Sequence, residues 1–158
     1  MNPVKRIGTA MAVSMLMAAT LLGMTGSSAA AQDNGLSEVR ATVASVMGAD
    51  VAAQGRRVDA KTMEYNGFTA TKAVPHADLI CSYKYLCMVV RGTTFSFTTC
   101  KVWTVSNWYG TGPWENNQTP GTVARYYGQS GGELVNMRST AYSEGTADWG
   151  PVYSLRPC

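Results

Sequence analysis

Four cysteines constrain this 158-residue chain more than any other feature, and all of them lie in its second half. The successive gaps are 5, 12 and 57 residues. Zinc sites usually pair ligands about two to four residues apart, so this spacing argues against zinc. In an oxidising compartment an even count predicts two disulfides. Three pairings are possible; the short first loop and the terminal position of the last cysteine favour Cys81 with Cys87 and Cys100 with Cys158.

Residues 1–31 have the composition of a secretory signal peptide. Lys5 and Arg6 provide the positive start, residues 7–24 carry no charge, and Ala29–Ala31 is a small-residue cleavage site. An uncleaved membrane anchor is the alternative, but the apolar run is near the minimum spanning length and is interrupted by Gly, Ser and Thr. We therefore predict a secreted, extracellular protein that makes no membrane contact after cleavage.

The charge of the mature chain argues against a nucleic-acid partner. The full chain has 13 basic and 10 acidic side chains, and loss of Lys5 and Arg6 with the leader leaves 11 against 10, a net charge of +1. Nucleic-acid binders usually concentrate a strong basic excess on one face. No nucleic acid is expected as a partner.

Residues 32–78 differ in composition from residues 79–158, because the first aromatic residue of the chain is Tyr65. Apolar residues at steps of three and four predict a helix over about 35–47, and an extended stretch is expected over 57–75. Within that stretch Asn66-Gly67 is a hairpin signal. This segment is predicted to be either a pro-segment that is trimmed later or an N-terminal extension packed on the domain.

Residues 79–158 have the pattern of an all-β domain. We predict strands over 86–90, 93–105, 122–127, 133–137 and 149–158, with a Gly- and Asn-rich loop over 106–121. Short strands with turn signals at this spacing are typical of a small sandwich or barrel. A domain this small buries a limited fraction of its surface, so the disulfides are expected to contribute to its stability.

The cysteine and aromatic scaffold resembles a family of secreted bacterial peptidase inhibitors. The resemblance rests on the segment Cys81–Cys87, the strand leading to Cys100, and the aromatic stretches 103–110 and 114–119, with a further likeness over 54–67. It implies a βγ-crystallin-like Greek-key sandwich and peptidase inhibition. One departure is the calcium motif of crystallin domains: here the hydroxyl of 116–119 falls one position early, and carboxylates are scarce, so no metal is expected.

Catalytic groups are few in the predicted domain. It contains only four acids, and the single histidine, His76, lies outside it. A glycosidase needs two facing carboxylates, and Glu115 has no acidic neighbour in the sequence. Oxidised cysteines are not nucleophiles. The sequence therefore predicts a protein that is not an enzyme and needs no cofactor.

A binding protein fits these residues better. The predicted target-binding loop presents large aromatics beside polar groups, and such side chains are good contact anchors on a rigid scaffold. The alternative for Trp108 and Trp114 is that they fill the core. We expect an extracellular protease as partner and a monomeric inhibitor; a cell-wall polysaccharide binder or killer-toxin-like antimicrobial protein is the alternative function. The loop residues are Trp108, Tyr109, Trp114, Glu115 and Asn116.

Overall fold

The computed structural model describes residues 26–158, with side chains from residue 34 onward. The predicted leader over residues 1–31 therefore lies outside the described residues except for 26–31, which are the start of the first helix. The cleavage site and the signal peptide stay predictions. Helix α1 spans Gly26–Met47 and helix α2 spans Ala49–Ala53. Gly48, with a φ of +102°, separates them, because glycine adopts positive φ without a steric penalty.

Eleven strands follow, in two antiparallel sheets. In chain order they are β1 Arg56–Arg57, β2 Thr62–Tyr65, β3 Phe68–Lys72, β4 Tyr85–Val90, β5 Thr93–Phe97, β6 Trp103–Thr104, β7 Thr111–Asn117, β8 Val123–Tyr127, β9 Ser139–Thr140, β10 Ser143–Asp148 and β11 Ser154–Arg156. The seven-stranded sheet has the order β1-β2-β3-β5-β4-β7-β10, and the four-stranded sheet the order β6-β11-β8-β9. The predominantly β fold is confirmed; a crystallin-type Greek key stays a prediction.

Alternation along the strands builds the core between the sheets. Residues of one parity in β2, β3, β4 and β5 are buried, because successive side chains of a strand point to opposite faces. Phe68 lies at the centre of an aromatic cluster, with its ring centroid 4.6 Å from that of Tyr65, 5.6 Å from Phe97 and 5.3 Å from Trp103. The predicted Asn66-Gly67 hairpin is present, since Tyr65 pairs with Phe68 across it.

The first helix belongs to the same core. Its buried residues recur at helical spacing and pack against β2 and β3. The helix end is also held by loops of the β region: the backbone N–H of Ser106 donates to the Val46 carbonyl at 2.9 Å, and the Arg91 guanidinium donates to the Ser45 hydroxyl at 2.8 Å. The core thus continues across the predicted boundary at residue 79. Whether residues 32–78 are trimmed stays a prediction. The buried helix residues are Leu36, Val39, Val43 and Val46.

Several strand predictions in the second half are wrong in extent. The predicted strand 93–105 is divided between β5 in one sheet and β6 in the other. Residues 135–137 form a 3₁₀ turn, with only an isolated bridge between Tyr127 and Glu133 beside it. The predicted terminal strand is reduced to β11. A bend over 98–101, where the Thr98 and Thr99 N–H groups donate to the Gly67 carbonyl, ends β5, whereas Gly131, Gly132, Gly150 and Pro151 lie beside the other two segments.

Candidate functional site

Strand β7 occupies the region that the sequence pattern predicted as a loop. It pairs with β4 on one side and with β10 on the other, and these two ladders supply the hydrogen bonds that a loop would lack. Along it, Trp114 and Asn116 point towards the second sheet, whereas Glu115 and Asn117 point to the opposite, outer side. The predicted contact residues are therefore divided between two faces of one strand.

Trp108 and Tyr109, just before this strand, are divided in the same way. Trp108 is 3% exposed, and its ring centroid lies 6.1 Å from that of Phe95 and 5.6 Å from that of Trp149. Tyr109 is 56% exposed, with the Arg91 guanidinium 4.7 Å from its ring centroid. The ring of Trp108 therefore fills the core, which is the alternative that the sequence left open for this residue.

Asn116 is also buried and serves the fold. Its Nδ2 donates to the Ser139 carbonyl at 2.7 Å, which links β7 to β9 of the second sheet. Its Oδ1 accepts from the backbone N–H of Gln118 at 3.3 Å and from the Gln118 side chain at 3.1 Å. A buried amide with all these bonds is a structural tie, so Asn116 is removed from the predicted contact surface.

On the outer side, β7 supports an exposed segment that we call the Cys81 loop (residues 77–84). Cys81 is buried and forms a disulfide with Cys87, with the Cα atoms 5.6 Å apart. Asn117 Nδ2 donates to the Cys81 carbonyl at 2.8 Å, and the backbone N–H of Lys84 donates to the Asn117 carbonyl at 2.7 Å. The loop is thus held covalently to β4 and by hydrogen bonds to β7.

Glu115 lies at the same anchor point. Burial raises the pKa of its carboxyl group, the charge of Glu144 raises that pKa further, and a hydrogen bond from the Cys81 backbone N–H lowers it. Glu144 is the residue directly opposite Glu115 in the β7–β10 ladder. The sequence pattern indicated no acidic neighbour for Glu115, because a separation of 29 positions hides a cross-strand pair.

The Cys81 loop exposes two large apolar side chains that were not among the predicted contact residues. Ile80 is 87% exposed and Tyr83 is 52% exposed, on either side of the buried Cys81. Single exposed apolar side chains are common on protein surfaces, so the distinguishing feature here is that both flank a residue fixed by a disulfide. The available signal was the pair Leu79-Ile80 immediately before a cysteine, in a stretch with no strand pattern.

On the inner side, Trp114 lines a cleft of about 320 Å³ between β7 and β10 of the first sheet and the second sheet. We call it the Trp114 cleft. Met137 and Trp149 supply further apolar surface, and Arg138 and Asp148 supply charged groups. Of the predicted contact residues, only Trp114 faces this cleft. Glu115 faces the outer side, and Tyr109 is exposed outside both regions.

The second disulfide lies away from these features. Cys100 and Cys158 are joined, with Cα atoms 5.4 Å apart, so both predicted pairings are confirmed. Among the described residues, no group of three or more His, Cys, Asp or Glu side chains is arranged to hold a metal ion. His76 is exposed and is not among the residues that line the Trp114 cleft.

Comparison with family models, with curated proteins and with solved structures finds no match to this chain. Within residues 26–158, no helix combines the length and the apolar character needed to cross a bilayer. The function is therefore inferred from the two surfaces that β7 separates, the Cys81 loop and the Trp114 cleft.

Proposed function

We propose that this chain is a secreted peptidase inhibitor and that its contact element is the Cys81 loop. The observation that carries the proposal is the contrast between Ile80, 87% exposed, and the adjoining Cys81, which is buried and tied to two strands. An apolar side chain held out from a fixed backbone suits the specificity pocket of a peptidase. The proposal replaces the contact surface predicted over 108–116.

The anchoring of the loop provides the physical reason for inhibition rather than cleavage. A segment that is already held in its bound form loses little conformational entropy on association. The Cys81–Cys87 disulfide and the bond from Asn117 to the Cys81 carbonyl hold the backbone on the carboxyl side of Ile80. If a peptidase cut the bond between Ile80 and Cys81, these ties would hold the new amino end at Cys81 in place and slow its departure.

Glu115 and Asn117 acquire a supporting role in this proposal. Both side chains reach Cys81 from the outer side of β7, one accepting from its N–H and the other donating to its carbonyl. They act as positioning residues for the loop and do not themselves contact the target. Tyr83, on the other side of Cys81, adds a second exposed anchor.

The compartment and partner follow from the same proposal. Two disulfides favour an oxidising environment, which fits export of the chain and an extracellular protease as partner. We propose a monomeric, non-enzymatic inhibitor, since one loop suffices to occupy one active-site cleft. No feature of the described residues specifically favours the killer-toxin-like alternative. A glycan site would lie on the other side of β7, at the Trp114 cleft.

A titration tests the proposal directly. Purified chain is added to one peptidase each of the metallo, serine and cysteine classes, under oxidising conditions and after reduction. We expect stoichiometric loss of activity in one class and recovery when the disulfides are reduced. Ile80→Ser should weaken this inhibition by roughly a hundredfold, a loss typical of a central contact residue.

The matched control is Tyr109→Ser, which removes an exposed aromatic outside the loop and should leave inhibition unchanged. Equal inhibition by wild type and Ile80→Ser would assign the activity to another surface. Absence of inhibition in all three classes at micromolar concentration would reject the inhibitor function itself. Unfolding curves for each variant establish that a loss of inhibition does not come from loss of the fold.

A further inference from the structure

The Trp114 cleft is a second candidate site, and it is separate from the Cys81 loop. Trp114 and Glu115 are adjacent in β7, so their side chains point to opposite faces of the sheet. Glu115 faces the anchor of the loop, while Trp114 lines the cleft beside Met137 and Trp149. Residues 77–84 do not line the cleft, although Trp114 and Thr146 also border a second cavity beside residues 77–79.

The indole of Trp114 is held in position and remains partly accessible. Gly145 lies directly opposite it in the β7–β10 ladder, and a Cβ atom at that position would come within 3.1 Å of the indole Cζ2. A larger residue at this position would push the ring outward by a few tenths of an ångström, so Gly145 lets the indole lie close to the neighbouring backbone. In the part of the chain that the structure describes, the Trp114 Nε1–H has no hydrogen-bond partner and is not fully buried, so it can donate to a ligand.

The base of the cleft is apolar. Trp149 is buried, and its Nε1 donates to the Val89 carbonyl at 2.8 Å, so that its N–H group is already occupied. The Tyr126 hydroxyl lies 3.2 Å from the Ser139 hydroxyl, and burial raises the pKa of Tyr126 to about 12. Both residues are 1% exposed, so they close the base of the cleft and leave Trp114 as the aromatic ring that a ligand can contact.

The rim is polar, and its charges compensate one another. Arg138 donates two hydrogen bonds to the Glu133 carboxylate, which also lies 3.7 Å from Arg125. Asp148 accepts one hydrogen bond, from the Gly150 backbone N–H at 3.0 Å, and keeps further lone pairs. Of the residues that line the cleft, Arg138 and Asp148 are charged, one cation and one anion, so the lining carries no net charge.

We propose that the Trp114 cleft binds an uncharged hexopyranose unit of a polysaccharide. A pyranose ring has an apolar C–H face, which fits the accessible indole, and a girdle of hydroxyl groups that both donate and accept. Asp148 accepts from these hydroxyls and the Trp114 N–H donates to them. The cleft volume of about 320 Å³ lies at the lower end of the range for small-ligand sites, which limits it to few sugar rings.

Calorimetric titration of the full chain with cellohexaose, chitohexaose and maltohexaose tests this site. We expect saturable binding of at least one oligosaccharide with a Kd of roughly 10 μM to 1 mM, a free energy of binding of about −7 to −4 kcal/mol. Trp114→Leu should weaken binding at least tenfold, and Asp148→Asn, which keeps the shape of the side chain, about threefold to tenfold. Titration with the parent monosaccharide shows whether the site is made for a free sugar or for a polymer. A polymer site should bind the monosaccharide more weakly than the hexaose.

The matched controls separate this proposal from the inhibitor function. Tyr109→Leu removes an exposed aromatic outside the cleft, and Ile80→Ser removes the proposed inhibitor anchor; both should bind the oligosaccharide as wild type does. No binding of any of the three hexaoses at millimolar concentration overturns the proposal, as does equal binding by wild type and Asp148→Asn. Tighter binding of polygalacturonate than of every neutral hexaose overturns the uncharged ligand class.

Discussion

The inner and outer sides of the segment 108–117 use adjacent residues for opposite purposes. On the inner side, Trp108 and Asn116 are buried and hold the sheets together. On the outer side, Tyr109 is exposed and Asn117 supports the Cys81 loop. Amino-acid type does not separate the two groups, since each contains an aromatic residue and an asparagine. The direction in which each side chain leaves the backbone separates them.

This difference explains why one segment can serve both stability and recognition. The inner residues are packed against Phe95, Trp149 and Ser139, so changing them disturbs the core. The outer residues can change with little cost to the fold, which leaves them available to shape a contact surface. Substituting the two members of an adjacent pair one at a time therefore tests which residue faces the core and which faces outward.

The largest difference is expected for the pair Trp108 and Tyr109. Trp108→Ala should lower the free energy of unfolding by about 3–5 kcal/mol, because it leaves a large cavity beside Phe95 and Trp149. Tyr109→Ala should change it by less than about 0.5 kcal/mol, as for an exposed residue. Urea unfolding followed by near-UV circular dichroism measures both values. Similar losses for the two variants would contradict the assignment of sides.

A smaller difference is expected for Asn116 and Asn117. Asn116→Leu should cost about 2–3 kcal/mol, because the Ser139 carbonyl and the Gln118 donors lose a buried partner. Asn117→Leu should cost about 1 kcal/mol, the net value of one hydrogen bond. The same unfolding experiment compares them, and limited proteolysis should cut the Cys81 loop faster in Asn117→Leu alone. Faster cutting in both variants would place Asn116 among the loop supports.

The smallest effect concerns Glu115 and Glu144 on the outer side. Glu144→Gln removes a like charge directly opposite Glu115 and should stabilise the fold by roughly 0.2–1 kcal/mol at neutral pH. The pKa of Glu115 is raised in the folded chain by burial and then by Glu144, so the protonated form is favoured on folding. The wild-type chain gains stability as Glu115 protonates and loses it as the pH rises through the raised pKa. The advantage of Glu144→Gln should therefore be present at neutral pH and vanish in acid.

Unfolding curves recorded at neutral pH and in acid measure the gain in stability from Glu144→Gln. Glu64→Gln is the matched control, because Glu64 is an outer-side carboxylate that forms an ion pair with Arg56 instead of facing another acid. It should give no gain at either pH. A gain for Glu144→Gln that is equal in acid and at neutral pH would show that repulsion with Glu115 is not its cause.

Much of the fold was predictable because its signals are local. The Asn66-Gly67 hairpin, the helix around Val39 and Val43, and the strand over 86–90 depend on turn chemistry and periodicity within short windows. The candidate surfaces were less predictable. Gly112 and Pro113 suggested a loop over 106–121, whereas pairing with β4 and β10 makes this segment a strand. Tertiary pairing here overrides local propensity.

The sequence by itself determined the predominantly β composition of the domain, and it favoured one of three cysteine pairings, which the structure then confirmed. Only the tertiary structure decided which of Trp108, Tyr109, Trp114, Glu115 and Asn116 are accessible, and that Ile80 is exposed at a braced anchor. The reason is physical. Composition and turn signals act over a few residues, whereas burial depends on partners such as Trp149 and Ser139 that lie tens of positions away.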